Sequence, residues 1–415
     1  MTFRTLDQAG ELTSKRALVR VDFNVPMQDG RITDDTRLQD ALPTIRFLFE
    51  RSAKVVLLAH FGRPEGKQVP PMSLRPTVET LSALLGRPVA FADDCVGPQA
   101  TAVVDGLAPG GIALLENVRF HAGEEANDPK FARELATNGD IYVNDAFSAA
   151  HRAHASTEGL AHLLPAYAGL AMQRELEQLE RVLGKPRRPV MGIVGGAKVS
   201  TKLDLLKHLV TKLDRLAVSG GLANTFLFAR GWNVGASYCE KTLVQTAREI
   251  EHLAGQNDCE LLLPTDVVVA TSLEPGAPTF VRRRGEVHDD ERILDAGPET
   301  LVALCRALER SETLIWNGPL GVFETPPFDH GTVEVAKAAA DLRRQGKLVA
   351  VAGGGDTLAA LNAAGLTGEF TFVSAAGGAF LEWMAGKTLP GVAALELPDR
   401  ELNPATPASV DHVLG

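Results

Sequence analysis

Two lysines and a glycine pair stand close together in PVMGIVGGAKVSTKLDLLKHLVTKL, residues 189–213. The apolar run Val190–Val194 has the length of a strand. Gly195-Gly196 lets the backbone turn tightly and approach a ligand closely. Ser200 or Thr201 is placed to cap a helix whose Leu203, Leu206, Val210 and Leu213 repeat at helical spacing. Strand, glycine turn and helix together aim backbone N–H groups at an anion. Lys198 and Lys202 fall in the turn and the first helical turn, the end of a helix that disfavours cations. A polyanion lying between them, such as the phosphates of a nucleotide, resolves that conflict. Two solvated lysines on a Gly-rich turn is the plainer reading of the same residues. The Walker A spacing is absent.

The second chemical set is arginine. Arg37, Arg63, Arg119 and Arg152 each follow a different predicted element, and His60, His151 and His154 accompany them. A parallel sheet collects such junctions along one edge, where open α/β sheets bind ligands. Arginine grips carboxylate and phosphate bidentately. One such arginine is ordinarily a surface residue, but four at equivalent positions form a socket for a small, highly anionic substrate. The histidines lack metal-ligand spacing and are read as further phosphate donors. Asp22 and Asn24 join this set from RALVRVDFNVP, residues 16–26. There Val19, Val21, Phe23 and Val25 alternate with Arg20, Asp22 and Asn24, which predicts one strand whose exposed polar face is either simply solvated or, with an anion, a cation and an amide at the strand end, turned to a ligand.

Strands that would position these residues are predicted at 16–26, 54–60, 112–116 and 142–145 in the first half. In the second half they are predicted at 190–194, 216–218, 261–269, 314–316, 348–351 and 372–373. A helix begins near Arg37, with Leu38, Leu42, Ile45, Leu48 and Phe49 on its apolar face, and another spans 78–85. Residues 171–183 form a helix with the stripe Met172, Leu176, Leu179 and Leu183, stopped by Gly184 and Pro186. Its place between an Arg-studded half and a Gly-studded half suits a connector between domains. Glycine clusters follow several second-half strands: Gly220-Gly221, WNGPLGVFE at 316–324, Gly353–Gly355 and SAAGGAF at 374–380. Gly353–Gly355 before LAALNAA is a second phosphate-loop candidate, and Asp356 there is either a cap or a magnesium partner.

Composition bounds these readings. A chain of 415 residues exceeds one ordinary core and predicts two domains. A net charge of -10 argues against a general nucleic-acid binder or a polybasic membrane protein. Positive charge must therefore be concentrated locally. Cys95, Cys239, Cys259 and Cys305 are widely spaced, which suits reduced, buried thiols. MTFRTLDQAG contains no apolar signal region and no run is long enough to span a bilayer, so a cytoplasmic protein is expected.

RVDFNVP, HFGRP, LLENVRF, YVNDAF with AHRAH, GGAKVSTK, WNGPLGVFE and GGGDT, in this order between Arg20 and Thr357, resemble the motifs of phosphoglycerate kinases. The resemblance implies two α/β lobes, each a doubly wound parallel sheet flanked by helices, joined by a connector helix and a hinge that closes. It places a 3-phosphoglycerate lobe at 1–170, with 388–415 packing back on it. The connector would span 171–184 and an Mg-nucleotide lobe 185–387. The substrate side carried over is Asp22, Asn24, Arg37, His60, Arg63, Arg119 and Arg152. The nucleotide side is Gly196, Lys198, Lys202, Gly220, Asn317, Glu324, Gly353, Gly354, Gly355, Asp356 and Thr357. Within it, Glu324 would meet the ribose hydroxyls and Asp356 the magnesium ion. ATP or ADP is the implied co-substrate, and a monomer the implied state.

Three places depart from the family. Ser374-Ala375-Ala376-Gly377-Gly378 replaces Ser-Thr-Gly-Gly-Gly, so the phosphate contact at Ala376 is open to question. Ser148 stands where glycine is usual. Residues 398–415 read as a polar extension. The expected chemistry is direct phosphoryl transfer to a carboxylate, with Arg37 and Lys198 neutralising charge on the moving group. Two other classes remain as comparisons. A nucleotide-binding regulatory protein of the same fold that has lost turnover draws only on the alanine departure. An NAD-linked dehydrogenase lacks its Gly-x-Gly-x-x-Gly fingerprint.

Overall fold

Val55, Val56, Leu57 and Leu58 run without polar alternation, the pattern of a parallel strand covered on both faces. All four are fully buried. The computed structural model of the chain describes residues 3–28, 30–184, 186–283, 285–374 and 376–396, except for the side chains of Val182 and Leu183. It is a mixed α/β protein that divides into two compact units, 1–176 with 388–415, and 177–387.

The first unit holds β1 (Arg16–Arg20), β2 (Met27–Gln28), β3 (Arg31–Ile32), β4 (Lys54–Leu58), β5 (Val89–Ala92), β6 (Ile112–Leu115), β7 (Ile141–Asn144) and β8 (Ala166–Ala168). Six of these form one sheet in the order β5-β6-β4-β1-β7-β8, and every pairing is parallel. The chain starts in the middle at β1, builds outward through β4 to one edge, then returns to add β7 and β8. Arg20 is level with Leu58 on one side and Asn144 on the other. The carboxyl ends of β1, β4 and β7 therefore finish together at the reversal point, where such sheets open a crevice. The helix Thr36–Glu50 buries Leu38, Ala41, Ile45 and Leu48 against this sheet's core. Near the chain's end, Gly391 N–H donates to the Ala150 carbonyl at 2.9 Å, and Phe3 bridges to Glu396.

The second unit holds β9 (Val190–Val194), β10 (Arg215–Val218), β11 (Glu260–Leu262), β12 (Asp266–Ala270), β13 (Phe280–Arg283), β14 (Arg292–Ala296), β15 (Thr313–Asn317), β16 (Val349–Gly353) and β17 (Phe372–Ser374). Its main sheet runs β11-β10-β9-β15-β16-β17, again parallel throughout and again begun in the middle. Trp316 on β15 is fully buried in its core with Leu314, Val335 and Leu348. A smaller antiparallel sheet, β13-β12-β14, stands beside it.

Several expected elements change. The strand expected at 16–26 stops at Arg20; Val21 N–H still donates to the Leu58 carbonyl, and 22–25 continue outside the sheet, which ends where its neighbours do. Arg20 is fully buried rather than on an exposed face, since β1 lies inside the sheet. The run 261–269 is two strands in two different sheets, parted at Leu263–Thr265. The helix beyond the glycine turn begins at Leu203 and ends at Leu209, with Lys202 at its cap position and no side-chain cap. Ser200 instead bonds Glu240, and the Thr201 hydroxyl donates to the Lys198 carbonyl. The helix Leu170–Leu179 buries Met172, Leu176 and Leu179, then widens into a π turn over Glu180–Gly184. The boundary between the two units falls inside that helix, between Leu176 and Glu177. Among the described residues, no helix is long and apolar enough to cross a membrane. All four cysteines are free; Cys95 and Cys259 are buried, Cys239 and Cys305 half-buried. Ala375 and residues 398–415 lie outside the described residues.

Candidate functional site

In the first unit, β1, β4, β6 and β7 each run out into a loop at the same edge of the sheet. A line of hydrogen bonds ties the loops together. Arg37 donates to Asp22 Oδ2 at 2.6 Å. Asp22 Oδ1 accepts the Asn24 N–H at 3.1 Å. Asn24 Oδ1 accepts the Gly62 N–H at 2.9 Å, and the Gly62 carbonyl accepts from Arg119 Nη1 at 2.9 Å. Residues from three loops and one helix are thus held in one web. Arg152 Nε contacts His151 Nε2 at 3.2 Å on the loop after β7. Arg63 is exposed and stands outside this web.

The electrostatics of the socket are one-sided. Burial pushes the Asp22 carboxyl upward, but the Arg37 guanidinium, with hydrogen bonds from Ser148 and Asn24, brings it down to about 2. Ser148 Oγ donates to Asp22 Oδ2 at 2.5 Å, a bond that a glycine in its place would lack. Burial lowers Arg119 to about 10, against the pull of Glu125 and helped by Arg20 and Arg152, so it remains a cation at neutral pH. Burial, then Arg119, Arg20 and Arg152, drive His154 down to about 3. His60 is also held well below the ordinary histidine value, by burial first and then by Arg20. His60 and His154, two of the histidines expected as donors here, are therefore neutral.

In the second unit, β9, β10, β15 and β16 end together. Gly195 passes so close to the next loop that a Cβ there would fall 1.9 Å from the Pro319 carbonyl oxygen. Only glycine permits that approach. Lys202 Nζ donates to the Gly195 carbonyl at 2.5 Å and to Asn317 Oδ1 at 2.6 Å. Asn317 Nδ2 donates to the Gly353 carbonyl at 2.7 Å. Thr357 Oγ1 donates to the same carbonyl at 3.0 Å and accepts the Gly318 N–H at 2.7 Å. Lys202, Asn317 and Thr357 are thereby committed to holding three strand ends in register. Burial lowers Lys202 to about 8, with Asp356 pulling the other way.

Beside this web lies a cavity of about 550 Å³. Gly196, Gly220, Glu324 and Asp356 are among its polar or glycine walls, and Leu262, Val267, Leu294 and Leu304 are among its apolar ones. An apolar slot with a few convergent polar groups is the usual form of a small-molecule site. Lys198 is exposed, its ammonium 5.9 Å from the centre of the Tyr238 ring, and Tyr238 also lines the cavity. Glu240 pins the lysine turn by accepting the Ser200 N–H at 2.9 Å and hydroxyl at 2.6 Å. Gly355 and Asp356 are exposed at the start of the helix Gly355–Ala363. Gly353 is buried, and a Cβ there would strike the Phe380 ring at 2.4 Å. Ala376, the alanine in a usual glycine place, has φ -80, a backbone any residue adopts.

Sequence reasoning missed four supporting residues. Arg20 was visible but read as exposed; its burial follows from strand order alone. Glu124 and Ser156, both fully buried beneath the arginines, carry no local signal. Glu240 lies 40 residues from Ser200 and has none either.

The phosphoglycerate kinase family profile matches residues 6–387. The chain is 69% identical over 396 residues to the phosphoglycerate kinase of Caulobacter vibrioides (strain NA1000 / CB15N), covering 95% of this chain and 100% of that one. It is 67% identical over 397 residues to the phosphoglycerate kinase of Caulobacter sp. (strain K31), covering 96% and 100%. Among solved structures, that of phosphoglycerate kinase from Coxiella burnetii matches with a TM-score of 0.87 at 41% identity, over 95% of this chain and 99% of that one. With seven ordered motifs, two parallel sheets and these relatives in agreement, the chain belongs to the phosphoglycerate kinase family.

Proposed function

We propose that the chain carries out reversible phosphoryl transfer between 1,3-bisphosphoglycerate and ADP, giving 3-phosphoglycerate and ATP, a step of glycolysis and its reversal. The first unit would hold the phosphoglycerate and the second the nucleotide. The observation that supports this division is the contrast between the two sheet edges. One gathers arginines around an ionised Asp22; the other gathers glycine turns beside an apolar cavity.

The acceptor carboxylate, with a pKa of about 4, is ionised at neutral pH and needs no general base. Catalysis then reduces to in-line placement and to neutralising charge on the moving group. Arg37, oriented by Asp22, and Lys198, on the pinned turn, are assigned that neutralisation. His60, Arg63, Arg119, Arg152 and Asn24 would bind the phosphoglycerate. Gly196, Gly220, Gly354, Gly355 and Lys202 would surround the nucleotide phosphates, and Glu324 would accept from the ribose hydroxyls. Gly353, Asn317 and Thr357 support this cradle from below. A magnesium ion fits the donor set: Asp356 is an exposed carboxylate on the cavity wall, and magnesium is commonly held by one or two carboxylates plus substrate phosphates. When bound, it would neutralise charge on the nucleotide phosphates. The protein would work as a cytoplasmic monomer.

The test is transfer itself. Purified protein, Mg-ATP and 3-phosphoglycerate are mixed, the acyl phosphate is trapped with hydroxylamine, and ADP is measured. ADP formed only when 3-phosphoglycerate is present supports the reading. Tight ADP binding without transfer sinks it in favour of a silent nucleotide binder.

A further inference from the structure

We infer that Arg20 is a positioning residue: it holds His60 as the neutral tautomer with its proton on Nε2, so that the arginine socket presents a fixed, uncharged N–H donor to an anionic oxygen. The inference deepens the reading of that socket as the phosphoglycerate site and rests on it for the ligand alone.

The geometry decides the tautomer. Arg20 Nη2 lies 3.0 Å from His60 Nδ1. A guanidinium has five N–H donors and no acceptor. Nδ1 must therefore offer its lone pair, and a neutral ring then carries its proton on Nε2. An imidazolium would set N–H against N–H. Arg20 cannot easily turn away, because the rest of its fork is occupied. Its Nε donates to Ser156 Oγ at 2.8 Å, and its Nη1 to the Val21 carbonyl. Ser156 passes the interaction on, donating its hydroxyl to Glu124 Oε1 at 2.6 Å and its N–H to Oε2 at 2.9 Å. Arg20, Ser156 and Glu124 are all 0% exposed. The buried Glu124 carboxyl thus closes the network behind Arg20, whose front edge sets the histidine.

The charges facing His60 act in the same sense. Arg20 comes from β1, Arg119 from the loop after β6 and Arg37 from the helix Thr36–Glu50; Asp22 faces it as an anion. Burial and these cations outweigh Asp22 and keep the ring neutral. A neutral donor gives the socket direction without adding a charge that changes with pH, which an ordinary histidine would do.

The experiment labels the ten histidines with ¹⁵N in the full-length protein, assigns His60 with His60→Gln, and follows the ring nitrogens between about pH 5 and 8. The expected result is a neutral Nε2–H ring that does not titrate, whose Nε2 resonance moves on adding 3-phosphoglycerate. A ring titrating near the ordinary value of ~6.5, or a neutral Nδ1–H ring, overturns the inference. A fixed Nε2–H tautomer indifferent to 3-phosphoglycerate supports the role of Arg20 and counts against the ligand reading instead. Arg20→Gln removes the charge and can turn a carbonyl oxygen toward Nδ1. It should let His60 titrate and make KM for 3-phosphoglycerate pH-dependent, with KM for ADP changed less than ~2-fold, because the nucleotide never meets His60. An unchanged His60 tautomer and pH profile in that variant assigns the tautomer to something other than Arg20. Should the variant fail to fold, the wild-type spectrum still decides.

Discussion

Lys202, half-buried, both ties strand ends together and stands beside the proposed phosphate cradle. Its ammonium donates to Gly195 and Asn317, and burial lowers it to about 8. A lowered cation pKa means that the fold favours the neutral form. Stability of the free protein should therefore rise as pH climbs from about 8 to the ordinary lysine value of ~10.4. Nucleotide binding should go the other way, because phosphates favour the charged form. Calorimetric titration with Mg-ADP should show affinity falling by roughly threefold or more between pH 7.5 and 9.5. Lys202→Arg, which stays charged, should flatten that profile. A flat wild-type profile would mean that the charge of Lys202 does not reach the nucleotide. At the same scale, Ser148 turns a departure from the family into a contact, a hydroxyl on the Asp22 carboxylate that orients Arg37. Nothing in the local sequence announces that partnership across 126 residues.

The glycine turns act as elements rather than as loose loops. Gly354 has φ +100, and a Cβ there would lie 2.6 Å from Asn317 Nδ2. Asn317 cannot swing aside, since it is held by both Lys202 and Gly353. Gly354→Ala should therefore strain the backbone by about 1–3 kcal/mol and displace Asn317. The expected outcome is a lower melting temperature and KM for ADP raised about tenfold or more, with KM for 3-phosphoglycerate changed far less. An ADP KM within twofold of wild type would show that the Gly353–Gly355 turn does not touch the nucleotide. Strand lengths were the least legible feature. The 16–26 pattern alternates to its end, yet the strand stops at Arg20 because β4 and β7 stop level with it. The short helix Leu203–Leu209 likewise starts late, since Ser200 is taken by Glu240.

Each unit has its own parallel sheet and its own buried core, so each ligand should order its own unit. Ligand binding stabilises the native state by about 2.7 kcal/mol at a hundredfold excess over Kd. Amide hydrogen exchange should show where. 3-Phosphoglycerate should slow exchange around 20–24, 60–63 and 147–154, and Mg-ADP around 195–202, 317–324 and 353–357. Protection by ADP confined to the first unit would refute the division of substrates between them.

Much of this was written in residue order. Apolar runs without alternation, each followed by glycine or arginine, determine parallel strands with chemistry at their carboxyl ends, and that pattern survives without any long-range knowledge. The seven motifs likewise carry family membership. What only the tertiary structure decided is which polar residues are buried and whom they bond. Arg20 is interior because β1 lies between β4 and β7, and its partners His60 and Ser156 are 40 and 136 residues away. Hydrogen bonds of that span depend on the packing of strands, and the local periodicity of a chain has no term for them.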